Sequence, residues 1–207
     1  MKINYQDKME KQLSEIIGRP KLLLHSCCGP CSTYVLEVLN NFFEITIYYY
    51  NPNIYPSDEF NKRYEVQQSL VKSVGLENDI KIIKGKYDEE KFNKQIKGYE
   101  SLKEGSYRCT KCFELRLEVT CKYAKENGFD YFTTSLSVSP YKNSEVLNSI
   151  GEKLSDKYDI EYLYADFKKK DGYKKSIELS KKYNLYRQEY CGCKYSLIES
   201  NERRNVT

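Results

Sequence analysis

The chain has 207 residues and a formal net charge of +4, with eight cysteines, 21 tyrosines and no tryptophan. This length can bury a sizeable core, and residues 1–8 lack the apolar segment of a signal peptide. No apolar run approaches the roughly 20 residues of a membrane span. We therefore expect no membrane association and a cytoplasmic location, where clustered cysteines bind metals or do redox chemistry more often than they form structural disulfides.

Strand-like and helix-like segments alternate along the chain. Strands are predicted where short apolar or β-branched runs lie between turn residues, and helices where apolar residues recur at helical spacing. The predicted order is helix 5–17, strand 21–25, helix 33–43, strand 44–50, helix 58–74 capped by Ser57, strand 79–84, helices 88–97 and 109–127, strand 131–135, helix 144–157 and strand 160–164.

This alternation predicts an α/β fold with a mostly parallel sheet and helices on both faces. We expect a single domain over residues 1–207, with an N-terminal helical region, 1–20, and a basic, helical C-terminal part, 166–207. Between Asp166 and Lys194, eight Lys and one Arg outnumber two Asp and two Glu, a local charge of +5. The basic excess of the chain therefore lies in this segment, which suits contact with phosphates.

The first cysteine cluster, Cys27, Cys28 and Cys31, occupies the turn between the first predicted strand and the following helix. Functional crevices of parallel sheets lie at the carboxyl ends of the strands, where this turn falls. The turn has a single glycine, Gly29, instead of the glycine run that cradles phosphate, so we expect no ATP site. A helix N-terminus favours thiolates, the form of cysteine that ligates metals.

Cys109 and Cys112, the second cluster, open the long helix predicted over 109–127. Residues three apart share a helix face, so both sulfurs can reach one centre. Two thiolates from this cluster and two from the first would form a four-cysteine set, which suits zinc and a 4Fe-4S cluster alike. The predicted place of the ligands in a crevice favours a working centre over a structural zinc ribbon.

Cys191 and Cys193, the third cluster, are too close together to ligate one metal easily. A disulfide between them would close a small, strained ring, which is typical of easily reduced, catalytic disulfides. We therefore favour a redox-active pair over metal ligation, with Lys194 and Arg187 lowering the thiol pKa. Cys121 stands alone and is expected to be a core or surface thiol.

Six segments together resemble the cobalamin-independent epoxyqueuosine reductases, the QueH family. They are LLLHSCCGPC (22–31), YNPNIYP (50–56), RCTKCFELRL (108–117), SPYKN (139–143), DFKKKDGY (166–173) and YRQEYCGC (186–193). The resemblance runs in order from about residue 20 to residue 200 and misses no cysteine of the pattern. One departure is Gly29, where many relatives have Ala, and we expect its effect to be slight.

The resemblance implies a reaction and a fold. Family members carry out the last step of queuosine synthesis, in which epoxyqueuosine at the wobble position of tRNA becomes queuosine. The epoxide loses its oxygen as water and becomes an alkene, which consumes two electrons and two protons, so an external low-potential electron donor is expected. The implied fold is a Rossmann-like domain akin to the adenine nucleotide α-hydrolase group, without its ATP loop.

The resemblance also implies which residues carry the chemistry. It implies a 4Fe-4S cluster on Cys27, Cys28, Cys109 and Cys112, and a redox-active disulfide between Cys191 and Cys193. A mononuclear iron or other metal beside the cluster would bind the epoxide oxygen. Cys31, one turn from the cluster ligands, and Asp166, which follows the fifth predicted strand, are the candidate ligands of this second metal.

Further candidates serve catalysis and tRNA binding. His25, the single histidine, ends the first predicted strand and is either a satisfied core residue or an acid beside the cysteines. Asp166 is either a catalytic residue or a cap for the basic helical part. Aromatic and basic side chains can stack on unpaired bases or meet phosphates, or else pack within the protein; the candidates are Tyr50, Tyr55, Tyr141, Lys142, Tyr173 and Arg187.

Two other classes of function stay open at this point. A thiol-based sulfur transferase acting on tRNA would use similar cysteines, but it needs an ATP-activating loop that we do not find in the sequence. A zinc-binding module that contacts RNA without chemistry would also place cysteines in pairs. An iron–sulfur chromophore would exclude the zinc module, and an absolute ATP requirement would favour the transferase.

Overall fold

A computed structural model, which describes residues 3–76 and 78–205, contains a five-stranded sheet surrounded by eight α-helices. The strands are β1 (Lys21–His25), β2 (Glu44–Tyr49), β3 (Lys81–Lys84), β4 (Tyr131–Thr134) and β5 (Glu161–Tyr162). The helices are α1 (Tyr5–Glu15), α2 (Gly29–Leu39), α3 (Ser57–Ser73), α4 (Glu89–Gln95), α5 (Tyr107–Glu126), α6 (Ser144–Tyr158), α7 (Gly172–Lys182) and α8 (Lys194–Asn205). Residues 1, 2, 77, 206 and 207 of the predicted domain lie outside the described residues.

All strand pairs are parallel, in the order β3-β2-β1-β4-β5, which confirms the predicted α/β class. The chain proceeds from β1 outward to β3 in one direction and then to β4 and β5 in the other. The switch point therefore lies between β1 and β4, and such points open a crevice at the carboxyl ends of the strands. The first cysteine cluster follows β1 at this crevice.

Strand β1 is buried on both faces, as its continuous apolar sequence indicates. Leu22 and Leu24 pack with α1, α2 and α3 on one side of the sheet, whereas Leu23 packs with α5 and α6 on the other. Successive side chains of a strand point to opposite faces, so these three leucines join the two halves of the core. Helices on both faces are thereby confirmed.

Strand β5 is shorter than predicted because side-chain amides replace part of its ladder. Gln12 of α1 accepts from the backbone N–H of Tyr164 at 2.9 Å and donates to the carbonyl of Tyr162 at 3.0 Å. Asn148 of α6 binds both backbone groups of Ala165 at 2.9 Å. These amides satisfy backbone hydrogen-bonding groups on the exposed side of an edge strand. Left unpaired, such groups can pair with other chains. They also fix the chain immediately before Asp166.

The starts of helices α2 and α3 differ from prediction. Helix α2 begins at Gly29 instead of residue 33, because Pro30 is accepted in the first helical turn. Helix α3 begins at Ser57 itself with Pro56 in the N-cap position, so the prediction that Ser57 caps it is wrong. A Cβ on Gly29 would lie 2.8 Å from the carbonyl oxygen of Val66 in α3, so alanine would force the two helices apart. The expectation of a slight effect at Gly29 is therefore also wrong.

The C-terminal part is helical in two separate segments, α7 and α8, with the irregular stretch 183–193 between them. That stretch carries Cys191 and leads to Cys193, immediately before α8. None of the helices in the described part of the chain has the length and apolarity needed to cross a membrane.

Replacing Asn148 by Leu should lower the free energy of unfolding by about 2–4 kcal/mol, because two buried backbone groups of Ala165 lose their partner. Urea denaturation followed by circular dichroism measures this loss. Lys153→Leu, an exposed change on the same helix, serves as the control and should stay within about 0.5 kcal/mol. Equal stability of the two variants would show that the amide of Asn148 contributes nothing to the segment before Asp166.

Candidate functional site

The fold gathers Cys27, Cys28 and Cys31 at the carboxyl end of β1. Their three Sγ atoms lie within 4.8 Å of one another, and those of Cys27 and Cys28 are 3.7 Å apart. A tetrahedral ion with metal–sulfur bonds of about 2.3 Å holds its sulfurs roughly 3.8 Å apart. The three thiols are therefore close enough together that they could hold a single thiophilic ion.

The described residues contain no second group of three or more such ligands within this distance. Cys109 and Cys112 begin α5 and lie outside the three-thiol group, although they pack against the same core cluster as its members. In a 4Fe-4S cluster each thiolate binds its own iron, so the ligand sulfurs spread more widely than around one ion. The four-cysteine set predicted from the sequence stays a prediction.

The three thiols share their protons. Thiol hydrogen bonds from Cys28 and Cys31 hold the pKa of Cys27 well below its usual range, and the charges of Lys142 and Arg116 act in the same direction. Hydrogen bonding to that thiolate raises the pKa of Cys28 to about 12 and that of Cys31 well above its usual range. One proton therefore leaves readily, whereas losing the others requires additional positive charge, which a metal ion supplies.

Arg116 of α5 is a buried cation that connects three parts of the site. Its Nη2 donates to Asn51 Oδ1 at 2.6 Å, its Nε lies 3.3 Å from His25 Nε2, and its Nη1 lies 3.9 Å from Cys112 Sγ. Asn51 in turn donates to the carbonyl of Ser26 at 2.8 Å. The arginine thus joins the turn after β1 to the second cysteine cluster.

His25 is fully buried, and burial, followed by the nearby charge of Arg116, lowers its pKa to about 3. The imidazole is therefore neutral at physiological pH. Its Nδ1 lies 2.9 Å from Thr134 Oγ1, and its Nε2 either accepts from Arg116 or donates to the carbonyl of Tyr50 at 3.1 Å. Both ring nitrogens of this histidine thus have hydrogen-bond partners, as in a core residue. The role as an acid stays a prediction.

The segment that carries Cys191 is held against α3. Arg63 donates to the carbonyls of Cys191 at 3.0 Å and Tyr190 at 3.4 Å, and it pairs with Glu59 at 2.7 Å. Gly192 has a φ of +142°, and a Cβ there would lie 3.2 Å from Arg63 Nη1. Glycine is therefore required between the two cysteines both for its backbone and for this close approach.

The third cluster lies beside the second. The charge of Cys193 adds to burial in raising the pKa of Cys109, and the charges of Cys191 and Cys193 do the same for Cys112, whose pKa rises to about 12. Six of the seven clustered cysteines border the core cluster on the α5 and α6 side of the sheet. The three clusters are thus brought to one region, as their chemistry requires.

Both residues of the third cluster are free thiols in this structure, and their role as a redox pair stays a prediction. Burial raises the pKa of Cys191 to about 11, and Lys142 is the cation that opposes the rise. Lys194 and Arg187 were expected to lower this pKa, but they lie instead over the rings of Tyr195 and Tyr173. The expectation of a lowered pKa is wrong for Cys191, because burial outweighs the cations near it.

The predicted tRNA contacts lie in different environments. Tyr141 is 75% exposed and can meet a partner, whereas Tyr173 and Arg187 are partly exposed, with the Arg187 guanidinium 5.4 Å from the centre of the Tyr173 ring. Lys142 is only 9% exposed and is therefore not a surface contact for phosphates. Tyr50 is buried and stacks on Tyr48, which supports its packing interpretation, while Tyr55 is partly exposed.

Asp166 is buried, and its Oδ1 forms an ion pair with Lys168 Nζ at 2.9 Å. It lines a cavity of about 660 Å³ together with Tyr141, Lys142 and Lys168. Helix α7 begins six residues later with Asp171 in the N-cap position, so the interpretation of Asp166 as its cap is wrong.

Cys121 is fully buried in α5 with its Sγ 3.6 Å from a backbone carbonyl, which confirms a core thiol.

Sequence reasoning did not find Arg63 and Arg116 as parts of the site. Both occupy helices of mixed polarity, where an arginine is usually exposed. A signal existed for Arg116, which falls one turn after Cys112 on the same helix face. No local signal distinguishes Arg63, because its partners at residues 190 and 191 are remote in sequence.

Comparisons with known proteins identify relatives of this chain. Residues 22–199 match a family model described as Epoxyqueuosine reductase QueH. An Epoxyqueuosine reductase QueH of Staphylococcus aureus is 43% identical over 209 residues, which cover 96% of this chain and 85% of the relative. The protein of that name from Thermotoga maritima is 35% identical over 188 residues, which cover 88% of this chain and 93% of the relative.

Replacing Arg63 by Met should lower the free energy of unfolding by about 3–5 kcal/mol, because it leaves the buried Glu59 carboxylate without its cation. Chemical denaturation measures the change. In the control, Lys11→Met removes an exposed pair with Glu15 at the same spacing of four residues, and should change stability by less than about 0.5 kcal/mol. A loss in the Arg63 variant no larger than in the control would rule out the anchoring role.

Proposed function

Because the chain belongs to the epoxyqueuosine reductase QueH family, we propose that it reduces epoxyqueuosine at the wobble position of tRNA to queuosine. The reaction removes the epoxide oxygen as water and leaves an alkene, with two electrons and two protons consumed. The observation that carries the proposal is the three-thiol group at the switch-point crevice, with Cys109, Cys112 and Cys193 at the same core cluster. Such a reaction on tRNA belongs in the cytoplasm, where thiols stay reduced.

We propose that the thiols hold an iron–sulfur centre. Cys27, Cys28, Cys109 and Cys112 would hold a 4Fe-4S cluster, and Cys31 with Asp166 a second metal. The set fits such a group because its thiols are buried around one core cluster and lie beside the cations Arg116 and Lys142. When bound, iron of this kind supplies single electrons and a Lewis acid for an oxygen of the substrate. The carboxylate of Asp166 is held by Lys168, so ligation requires that ion pair to open.

Cys191 and Cys193 match the electron demand of the reaction. Oxidation of these two thiols to a disulfide breaks two S–H bonds, forms one S–S bond and releases two electrons and two protons. The reduction of the epoxide consumes the same number of each. An external low-potential donor would then return the disulfide to the dithiol. The proximity of Cys193 to Cys109 supports electron exchange between the pair and the centre.

His25 and Arg116 would orient the centre rather than transfer protons. The neutral imidazole connects β1 with β4 through Thr134, and the arginine places a positive charge beside Cys27 and Cys112. Both groups are fixed by hydrogen bonds at the ends of neighbouring strands. They would therefore keep the turn after β1 in place when a metal binds or leaves.

The tRNA would present its unpaired wobble base to the crevice between β1 and β4. Tyr141 and Tyr173 are aromatic side chains that can stack on bases, and Arg187 can pair with phosphate. The local charge of +5 between Asp166 and Lys194 supports contact with the tRNA backbone. These roles would make binding sensitive to salt.

The reductase proposal is tested with anaerobically reconstituted protein and tRNA that contains epoxyqueuosine, with the digested nucleosides read by mass spectrometry. Loss of one oxygen from the modified nucleoside is the expected result. If a protein with a full iron load and a working donor leaves epoxyqueuosine unchanged, the proposal fails. Bound zinc without iron, again with unchanged nucleoside, would identify a zinc-binding RNA module.

The two classes of cysteine should separate in the same assay. Cys28→Ala should lose bound metal and activity together, because it removes a thiolate ligand. Cys191→Ala should keep the metal but stop turnover, because it removes one half of the dithiol. Cys121→Ala, which changes a core thiol, is the control and should keep both properties. Metal content is measured by plasma mass spectrometry. If Cys191→Ala still turns over with a physiological donor, the dithiol role is contradicted.

A further inference from the structure

Lys142 is a buried residue to which the proposed function gives no role beyond the charge that it places beside the thiols. It lies after the 3₁₀ turn Ser135–Val138 that follows β4, on the β4 side of the crevice. Its backbone N–H donates to the carbonyl of Ser139 at 3.2 Å, and its own carbonyl accepts from Lys168 at 3.3 Å. The backbone is therefore fixed on both sides, and nine-tenths of the residue is buried.

No carboxylate among the described residues lies within 4.0 Å of the Lys142 ammonium. Asp166, which lines the same cavity, is engaged by Lys168 instead. Burial acts to lower the pKa of Lys142, but negative charge on the nearby cysteines, of which Cys27 is the one that loses its proton readily, raises it, so the side chain is cationic. A buried cation without a carboxylate is costly, and such groups are usually retained for function.

Lys142 also borders a cavity. The cavity has a volume of about 660 Å³ and is also lined by Tyr141, Asn143, Ser144 and Asp166. This volume is typical of pockets that bind a small molecule or a single modified base. Its lining offers hydroxyl, amide and carboxylate groups, which suit a ring that carries hydroxyl groups. Lys142 thus lines the space where such a ring would fit, and its charge also acts on the thiol of Cys27.

We propose that Lys142 is a catalytic residue whose ammonium group donates a hydrogen bond to the epoxide oxygen of a base seated in this cavity. The inference rests on the proposed reductase function and adds a residue and a pocket to it. When the first C–O bond breaks, negative charge develops on the oxygen, and a fixed ammonium stabilises that charge more than it stabilises the neutral epoxide. The two electrons and two protons of the reaction are those already assigned, and the oxygen leaves as water.

The test compares Lys142→Met and Lys142→Gln with the wild-type holoenzyme on tRNA that contains epoxyqueuosine. Both variants should reduce kcat about 100-fold with little change in KM, because the lost interaction is made mainly in the transition state. Lys142→Arg, which retains the charge, should recover part of the loss. Lys153→Met, a surface change on α6, is the control and should behave as the wild type.

Thermal stability and metal content distinguish this role from a structural one. Removing an unpaired buried charge should leave Tm unchanged or raise it in Lys142→Met, with metal content preserved, while kcat falls. A lower Tm or a loss of metal in both neutral variants would assign Lys142 to the structure and overturn the proposal. Unchanged kcat in an active enzyme would also overturn it, whereas an inactive wild type would refute the reductase function itself.

Discussion

Buried positive charge is the constraint on which the arrangement of the cysteines depends. A thiolate removed from water is costly unless fixed cations lie beside it. Arg63, Arg116 and Lys142 are all buried in this region. Lys142 and Arg116 favour the thiolate of Cys27, and Arg63 opposes the rise in the pKa of Cys28. Without these cations the three-thiol group would hold its protons more tightly.

The topology of the sheet explains why the cations converge. In a parallel sheet, each connecting helix begins near the carboxyl edge, because it has to run back along the strands. Arg63 lies in the first half of α3, after β2, and Arg116 in the first half of α5, before β4. Since β2 and β4 are the two neighbours of β1, both arginines reach the turn after β1. The same geometry brings Cys109 and Cys112 to that edge.

Local patterns predicted those parts of the molecule that local forces decide. Strand β1 could be recognised because burial on both faces requires a continuous apolar run, and its following turn located the first cysteine cluster. The end of β5 could not be recognised from the sequence, since its partners are the amides of Gln12 and Asn148, which are remote in sequence. Lys142 is a candidate tRNA contact by sequence, and a lysine in a loop is usually exposed. Its burial follows from the crevice between β1 and β4, which exists only in the assembled sheet.

The thiols are of two kinds, those that lose a proton readily and those that keep it, and this difference suits their proposed roles. The group around Cys27 loses a proton readily and offers negative charge, which a metal ion requires of its ligands. Cys191, in contrast, keeps its proton at neutral pH because burial raises its pKa to about 11. A protonated thiol binds metal weakly but carries a hydrogen that it releases on oxidation. Because Arg63 fixes the backbone of Cys191 close to α3, the proton-bearing thiol stays near the proposed metal ligands without joining them. The proposed store of electrons and protons would thereby lie beside the proposed metal ligands rather than among them.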